Sequence, residues 1–220
     1  MPFSFATGTD GFTADFADYT PGMELGDQGI RFVSEFRRLP PPLDNRFGLL
    51  LGGTDRPDDL FMYISRMVTG LVPGQRYRVQ VDIVFATNAP SGCIGPGAPG
   101  ESLYVKAGAT GTAPAKQLKN GRIVANVDKG ESANGGRDLI LIGDFTGGGG
   151  TCTQREYRLK TLSTAAPQQL VPPSTPPPPD ALLVTADSGG RAWIVIGTDA
   201  GNEIRTEIYY LEGVATFTPA

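Results

Sequence analysis

The chain has 220 residues, 40% of them hydrophobic and 19% charged, with a formal net charge of -4 and no histidine. That length supports a full core in one large all-β domain, and the weak net charge gives no broad attraction to nucleic acid or anionic lipid. Without imidazole, Ser-His-Asp and Cys-His nucleophile systems, His-ligated zinc and imidazole acid-base pairs are all excluded.

In chain order, the opening MPFSFATGTDGF has neither a basic n-region nor an apolar h-region, so any export leader is expected to be absent from this chain. No apolar run approaches the roughly 20 residues of a membrane helix, and no membrane insertion is expected. Strand candidates follow at IRFVSEF, FGLLLG and LFMYISRMV. The basic residues are scattered singly except for Arg37-Arg38, which leaves no phosphate-binding stripe and no nucleic-acid partner.

The clearest periodicity is in RYRVQVDIVFA, where Tyr77, Val79, Val81, Ile83 and Phe85 share one face and Arg76, Arg78, Gln80 and Asp82 the other. This half-buried strand is launched by GLVPGQ, with Pro73 and Gly74 at the central positions of a type II turn. Further strands are expected at SLYVKAG, RIVANV, DLILIGDF, REYRLKTL, ALLVTAD, RAWIVIG and TEIYYLEGVATFT. No long window holds a 3.6-residue apolar period, so the pattern predicts ten or eleven short strands. It reads as two packed antiparallel sheets, a β-sandwich of jelly-roll type in a single domain spanning residues 1–220.

Two segments interrupt the strands. TGTAPAKQLKNGR, residues 110–122, reads as a long polar loop with a tight turn at Asn120-Gly121. AAPQQLVPPSTPPPPD, residues 165–180, is too rich in proline for a central strand and is expected as an extended loop projecting within the domain. Its PxxP spacing offers a protein partner a recognition segment.

The two cysteines, Cys93 in PSGCIGPG and Cys152 in TGGGGTCTQ, lie in separate Gly-rich loops. A metal site would need further ligands, so the pair reads as a disulfide formed in an oxidising compartment, worth ~4 kcal/mol in the chain-entropy model. GPGAPG has the letters of a dinucleotide fingerprint, but Pro96 and Pro99 lie inside it and a strand follows it where the motif needs a helix.

Three loops place oxygen donors close together: Asp55, Asp58 and Asp59; Asn126, Asp128, Glu131, Asn134, Arg137 and Asp138; and Asp199, Asn202, Glu203 and Glu207. Calcium takes six to eight such oxygens, although the same residue types also form turns by bonding their own backbone. The preferred metal loop is Asp199, Asn202 and Glu203, as a structural calcium site; no cofactor is otherwise required. Mutual repulsion of that carboxylate pair would be relieved by a calcium ion or by Arg205. For ligand binding, Tyr209 and Tyr210 point to opposite faces of their strand, so one is expected to leave the core side, with Asn134 and Arg137 as polar partners. Trp193, in an apolar strand, is expected to pack in the core.

GLVPGQRYRVQVDIVFA, with its Leu-x-Pro-Gly-x-x-Tyr turn, and the closing GTDAGNEIRTEIYYLEGVATF resemble the galactose-binding-like jelly rolls of bacterial carbohydrate-binding modules. DDLFMYISR, FATNAPSGC, GESLYVKAG, NVDKGESANGG and RTEIYY are similar to a group of exported bacterial proteins. That similarity implies a secreted, periplasmic or outer-surface location and the fold, without an activity or site residues. The expectation is a noncatalytic extracytoplasmic module that binds a glycan or other cell-surface component. The alternatives are a structural or protein-interaction β-sandwich of the envelope and a carboxylate-dependent carbohydrate-active enzyme.

Overall fold

The computed structural model describes the chain except residues 26–28, 55–58, 95–99, 171–175 and 202–204. Its strands in chain order are β1 (Pro2–Ser4), β2 (Thr13–Ala17), β3 (Val33–Arg38), β4 (Phe47–Thr54), β5 (Phe61–Val68), β6 (Arg76–Thr87), β7 (Leu103–Thr110), β8 (Lys116–Lys119), β9 (Arg122–Ala125), β10 (Leu139–Asp144), β11 (Gly149–Gly150), β12 (Arg155–Glu156), β13 (Arg158–Ser163), β14 (Leu183–Thr185), β15 (Ala192–Ala200) and β16 (Arg205–Pro219). Every strand read from the sequence is present, within a few residues at each end. The short β1 and β2, at the Gly- and Thr-rich start, were not legible because neither is long enough to show a period.

Two antiparallel sheets form the sandwich. The seven-stranded sheet runs β13-β6-β16-β4-β3, with β1 on β16 and β14 on β6, and the five-stranded sheet runs β10-β7-β15-β5-β2. Strand alternation puts Val79, Val81, Ile83 and Phe85 of β6 against Val105, Ala107, Ile194 and Ile196 of the other sheet in one core. The turn into β6 is as expected: Gly74 takes φ 72°, and Gln75 N donates to Val72 O at 3.1 Å.

Part of the outer face of the five-stranded sheet is itself covered. Residues 111–138 leave β7, form the β8-β9 hairpin and cross back over the sheet, burying Phe61, Tyr63, Val127, Leu139 and Val195 in a second apolar cluster. The segment expected as a plain loop thus holds a hairpin. Its turn residues Asn120 (φ 52°) and Gly121 (φ 79°) both take the positive φ that a two-residue hairpin needs. Close approach depends on Gly108 of β7, where an added Cβ would lie 2.0 Å from Asp138 O.

The Pro-rich segment departs from the projecting loop expected for it. Its described flanks lie beside edge strand β10: Gln168 N donates to Ile142 O at 3.0 Å, and Pro167, Pro176 and Pro177 line a pocket together with Ile140 and Leu141. Covering an edge strand satisfies backbone groups that would otherwise invite another chain. Cys93 and Cys152 are disulfide-bonded, tying the loop after β6 to the β11-β12 turn across a sequence separation of 59. GPGAPG lies almost wholly outside the described residues. Among the described residues no helix is long and apolar enough to cross a membrane.

Candidate functional site

The outer face of the seven-stranded sheet carries an open groove of 520 Å³ across β13, β6, β16 and β1. Asp82 and Val84 of β6 point away from the core because their neighbours Val81, Ile83 and Phe85 point into it. On β16 the register shifts at Leu211, so that Tyr209 lies opposite Ala86 and Glu212 opposite Val84. This irregularity brings Glu212 and Val214 out beside Asp82 and Val84. Thr161 of β13 faces Val84 from the other side.

The groove therefore sets the carboxylates of Asp10, Asp82 and Glu212 and the hydroxyls of Ser4 and Thr161 around apolar Pro2, Val84 and Val214. Two of the carboxylates are held in place. Asp10 pairs with Arg66 at 2.9 Å and accepts from Ser4 N at 3.1 Å, while Asp82 accepts from Gln80 Nε2 at 3.1 Å and from Ser163 Oγ. Glu212 stands exposed at the rim. Fixed oxygen acceptors beside an apolar floor suit a ligand with many hydroxyl donors and C–H faces.

The tyrosines expected to form a ligand platform do not form one. Tyr209 is 2% exposed and Tyr210 1%. They do point to opposite faces, but Tyr210 enters the main core while Tyr209 is covered on the outer face by Leu39, Leu50 and Tyr157, whose ring meets it edge-on at 5.4 Å. The sequence could not show that the outer face is roofed here. Trp193 departs from its expected core place in the opposite direction: it is half-buried on the outer face of β15, beside exposed Met67, with Arg191 over its ring at 5.9 Å. Asn134 and Arg137 are exposed on the segment crossing β7, away from both tyrosines; Arg137 lies 4.0 Å from Asp138.

Acidic residues from the candidate calcium loops come together, although not as a calcium cage. Asp59, Asp199 and the unforeseen Asp18 converge until one oxygen of each lies within 4.8 Å of the others. Lys129, from the segment over the sheet, sends its Nζ among them, 3.0 Å from Asp18 Oδ2 and 3.0 and 2.9 Å from the two Asp199 oxygens. Lys106 of β7 reaches Asp199 Oδ2 at 2.6 Å. Asp199 is thus fully buried with ammonium groups on both oxygens, which fill the positions a calcium ion would need. Asn202 and Glu203 lie outside the described residues. Arg205 pairs with Glu207 at 2.9 Å. In the second loop the side chains tie distant backbone together, with Asn126 Oδ1 accepting from Ala115 N at 2.8 Å and Asp138 Oδ2 from Asp128 N at 2.9 Å.

Burial dominates the electrostatics of this cluster. It raises the carboxyl of Asp18 and pushes that of Asp59 up to about 6, and it lowers the ammonium of Lys106. For Lys129 burial pulls downward too, but the carboxylates of Asp199, Asp18 and Asp59 outweigh it and hold the charge firmly. Because Asp59 binds its proton more tightly folded than unfolded, its contribution to stability falls as pH rises from about 4 to 6. Asp59→Asn removes this dependence, so the stability of the variant minus that of wild type should rise with pH across that window. Urea unfolding at several pH values measures the difference, and a flat one contradicts the assignment.

No protein-family model matches the chain, and no curated protein matches it. Solved structures similar to the chain include three carbohydrate-binding modules. A carbohydrate-binding module from the β-sandwich superfamily is 13% identical with a TM-score of 0.42, covering 94% of this chain and 58% of that one. The xylan-binding domain of family 22 is 11% identical with a TM-score of 0.38, covering 100% and 95%. The family 11 module of the cellulosomal cellulase Lic26A-Cel5E of Clostridium thermocellum is 8% identical with a TM-score of 0.40, covering 100% and 94%. The chain spans 58% of the length of the first of these structures.

Proposed function

We propose that this protein is a noncatalytic binding module for a glycan, with the groove on the seven-stranded sheet as its site. The observation that carries the reading is the groove's lining: three carboxylates and two hydroxyls surround an apolar floor on a rigid sheet face. Sugar hydroxyls would donate to Asp82 and Glu212, while Val84 and Val214 would meet the C–H face of a ring. The reading includes an extracytoplasmic location, which the Cys93–Cys152 disulfide supports because such bonds persist in oxidising compartments.

The test is titration calorimetry with oligosaccharides selected on a glycan array. Glu212→Ala should weaken binding by about tenfold or more, the cost of one charge-assisted hydrogen bond. Tyr209→Phe, whose ring is roofed, should bind as wild type. Unchanged affinity in Glu212→Ala and in Asp82→Asn would place any glycan elsewhere and overturn the reading.

A further inference from the structure

We propose that Lys106 and Asp199 condense into an intramolecular isopeptide bond that joins β7 to β15 covalently. Lys106 Nζ lies 2.6 Å from Asp199 Oδ2, and both side chains are 0% exposed. They come from adjacent strands, where Gly197 lies opposite Lys106 and Asp199 opposite Tyr104, so the two are diagonal neighbours on one face. The sheet has already met the entropic cost of bringing amine and carboxyl together, which is the largest obstacle to amide formation between free groups. The crossing segment buries Phe61, Tyr63 and Val195 on this face, and the two side chains of the pair are themselves closed to solvent.

The surroundings supply each part of the chemistry. Nζ is aimed by two backbone carbonyls, those of Lys129 and Asn134, each at 2.9 Å. In an interior of low dielectric the neutral amine gains on the ammonium, and the lowered ammonium of Lys106 follows that direction. The Nζ lone pair attacks Cγ of Asp199 and the carbonyl electrons move onto oxygen. Lys129, in contact with both carboxylate oxygens, stabilises the charge that develops there. A carboxylate oxygen of Asp18 lies within 4.8 Å of one of Asp199, to take the proton that nitrogen loses and return it to the departing oxygen, while Asp59 is paired with Arg122 at 2.8 Å. The Nζ–Cγ bond forms and a Cγ–O bond breaks. Ammonium plus carboxylate becomes amide plus one water, so no oxidant or co-reactant is required. The water would leave past Lys129, which contacts Asp199 and also lines an open 460 Å³ pocket with Asp18.

The experiment is an intact-mass measurement on the whole protein, reduced and denatured. The expected wild-type mass is below that of the reduced sequence by one water, and a protease digest should contain a branched peptide joining Lys106 to Asp199. Lys106→Met and Asp199→Ala should each show their full sequence mass, which can be read whether or not the variants fold. Full sequence mass in wild type, or a lost water without that branch, overturns the proposal and leaves a buried salt bridge.

Discussion

Asp199→Ala is expected to lower folding stability by about 3–5 kcal/mol, because the variant leaves the buried Lys106 and Lys129 side chains without the partner that meets them both. Lys106 would keep only the backbone carbonyls of Lys129 and Asn134, while Lys129 would keep Asp18. Adding Lys106→Met should return part of the loss, since one stranded charge is then replaced by an apolar side chain of similar length. Denaturant unfolding of wild type, the two single variants and the double variant gives the coupling energy. A loss below about 1 kcal/mol in Asp199→Ala, within the range of exposed ion pairs, would mean that the cluster is not shut off from solvent.

Removing the disulfide ranks beside it. Cys93→Ser combined with Cys152→Ser releases a tether across 59 positions, and the chain-entropy model assigns about 4 kcal/mol to closing such a loop. The variant should unfold at a lower urea midpoint, and alkylation of native wild type should find no free thiol. An unchanged midpoint would mean that the Gly-rich loops around Cys93 and Cys152 are held by other contacts in the unfolded chain or the native one.

The strand framework was legible because it depends on local alternation. β6 shows this best: Tyr77, Val79, Val81, Ile83 and Phe85 recur at every second position, and each is buried in the structure. The Pro73-Gly74 turn and the Asn120-Gly121 turn were legible for the same reason, since a positive φ is a property of a single residue and its neighbours. The disulfide was readable by elimination, with two cysteines and no histidine to make a metal site.

Other features required the assembled sheets. The period of two specified that Tyr209 faces away from Tyr210, but whether that second face meets water depends on Leu39, Leu50 and Tyr157 arriving from distant segments. The acidic loops were visible one by one as local clusters. That Asp18, half-buried Asp59 and Asp199 converge, with Lys129 from a segment crossing the sheet between Asp18 and Asp199, is a long-range fact with no local signal. Glu212 joins Asp82 in the groove only because the register shifts at Leu211, an offset defined by pairing with β6 and not by the residues of β16 alone. The sequence by itself determined the sheets, their inward faces and the cysteine tether, because side-chain alternation and turn chemistry act over a few residues. Tertiary structure alone decided which outward faces stay open and which charges meet, because both depend on what distant parts of the chain place on top of each strand.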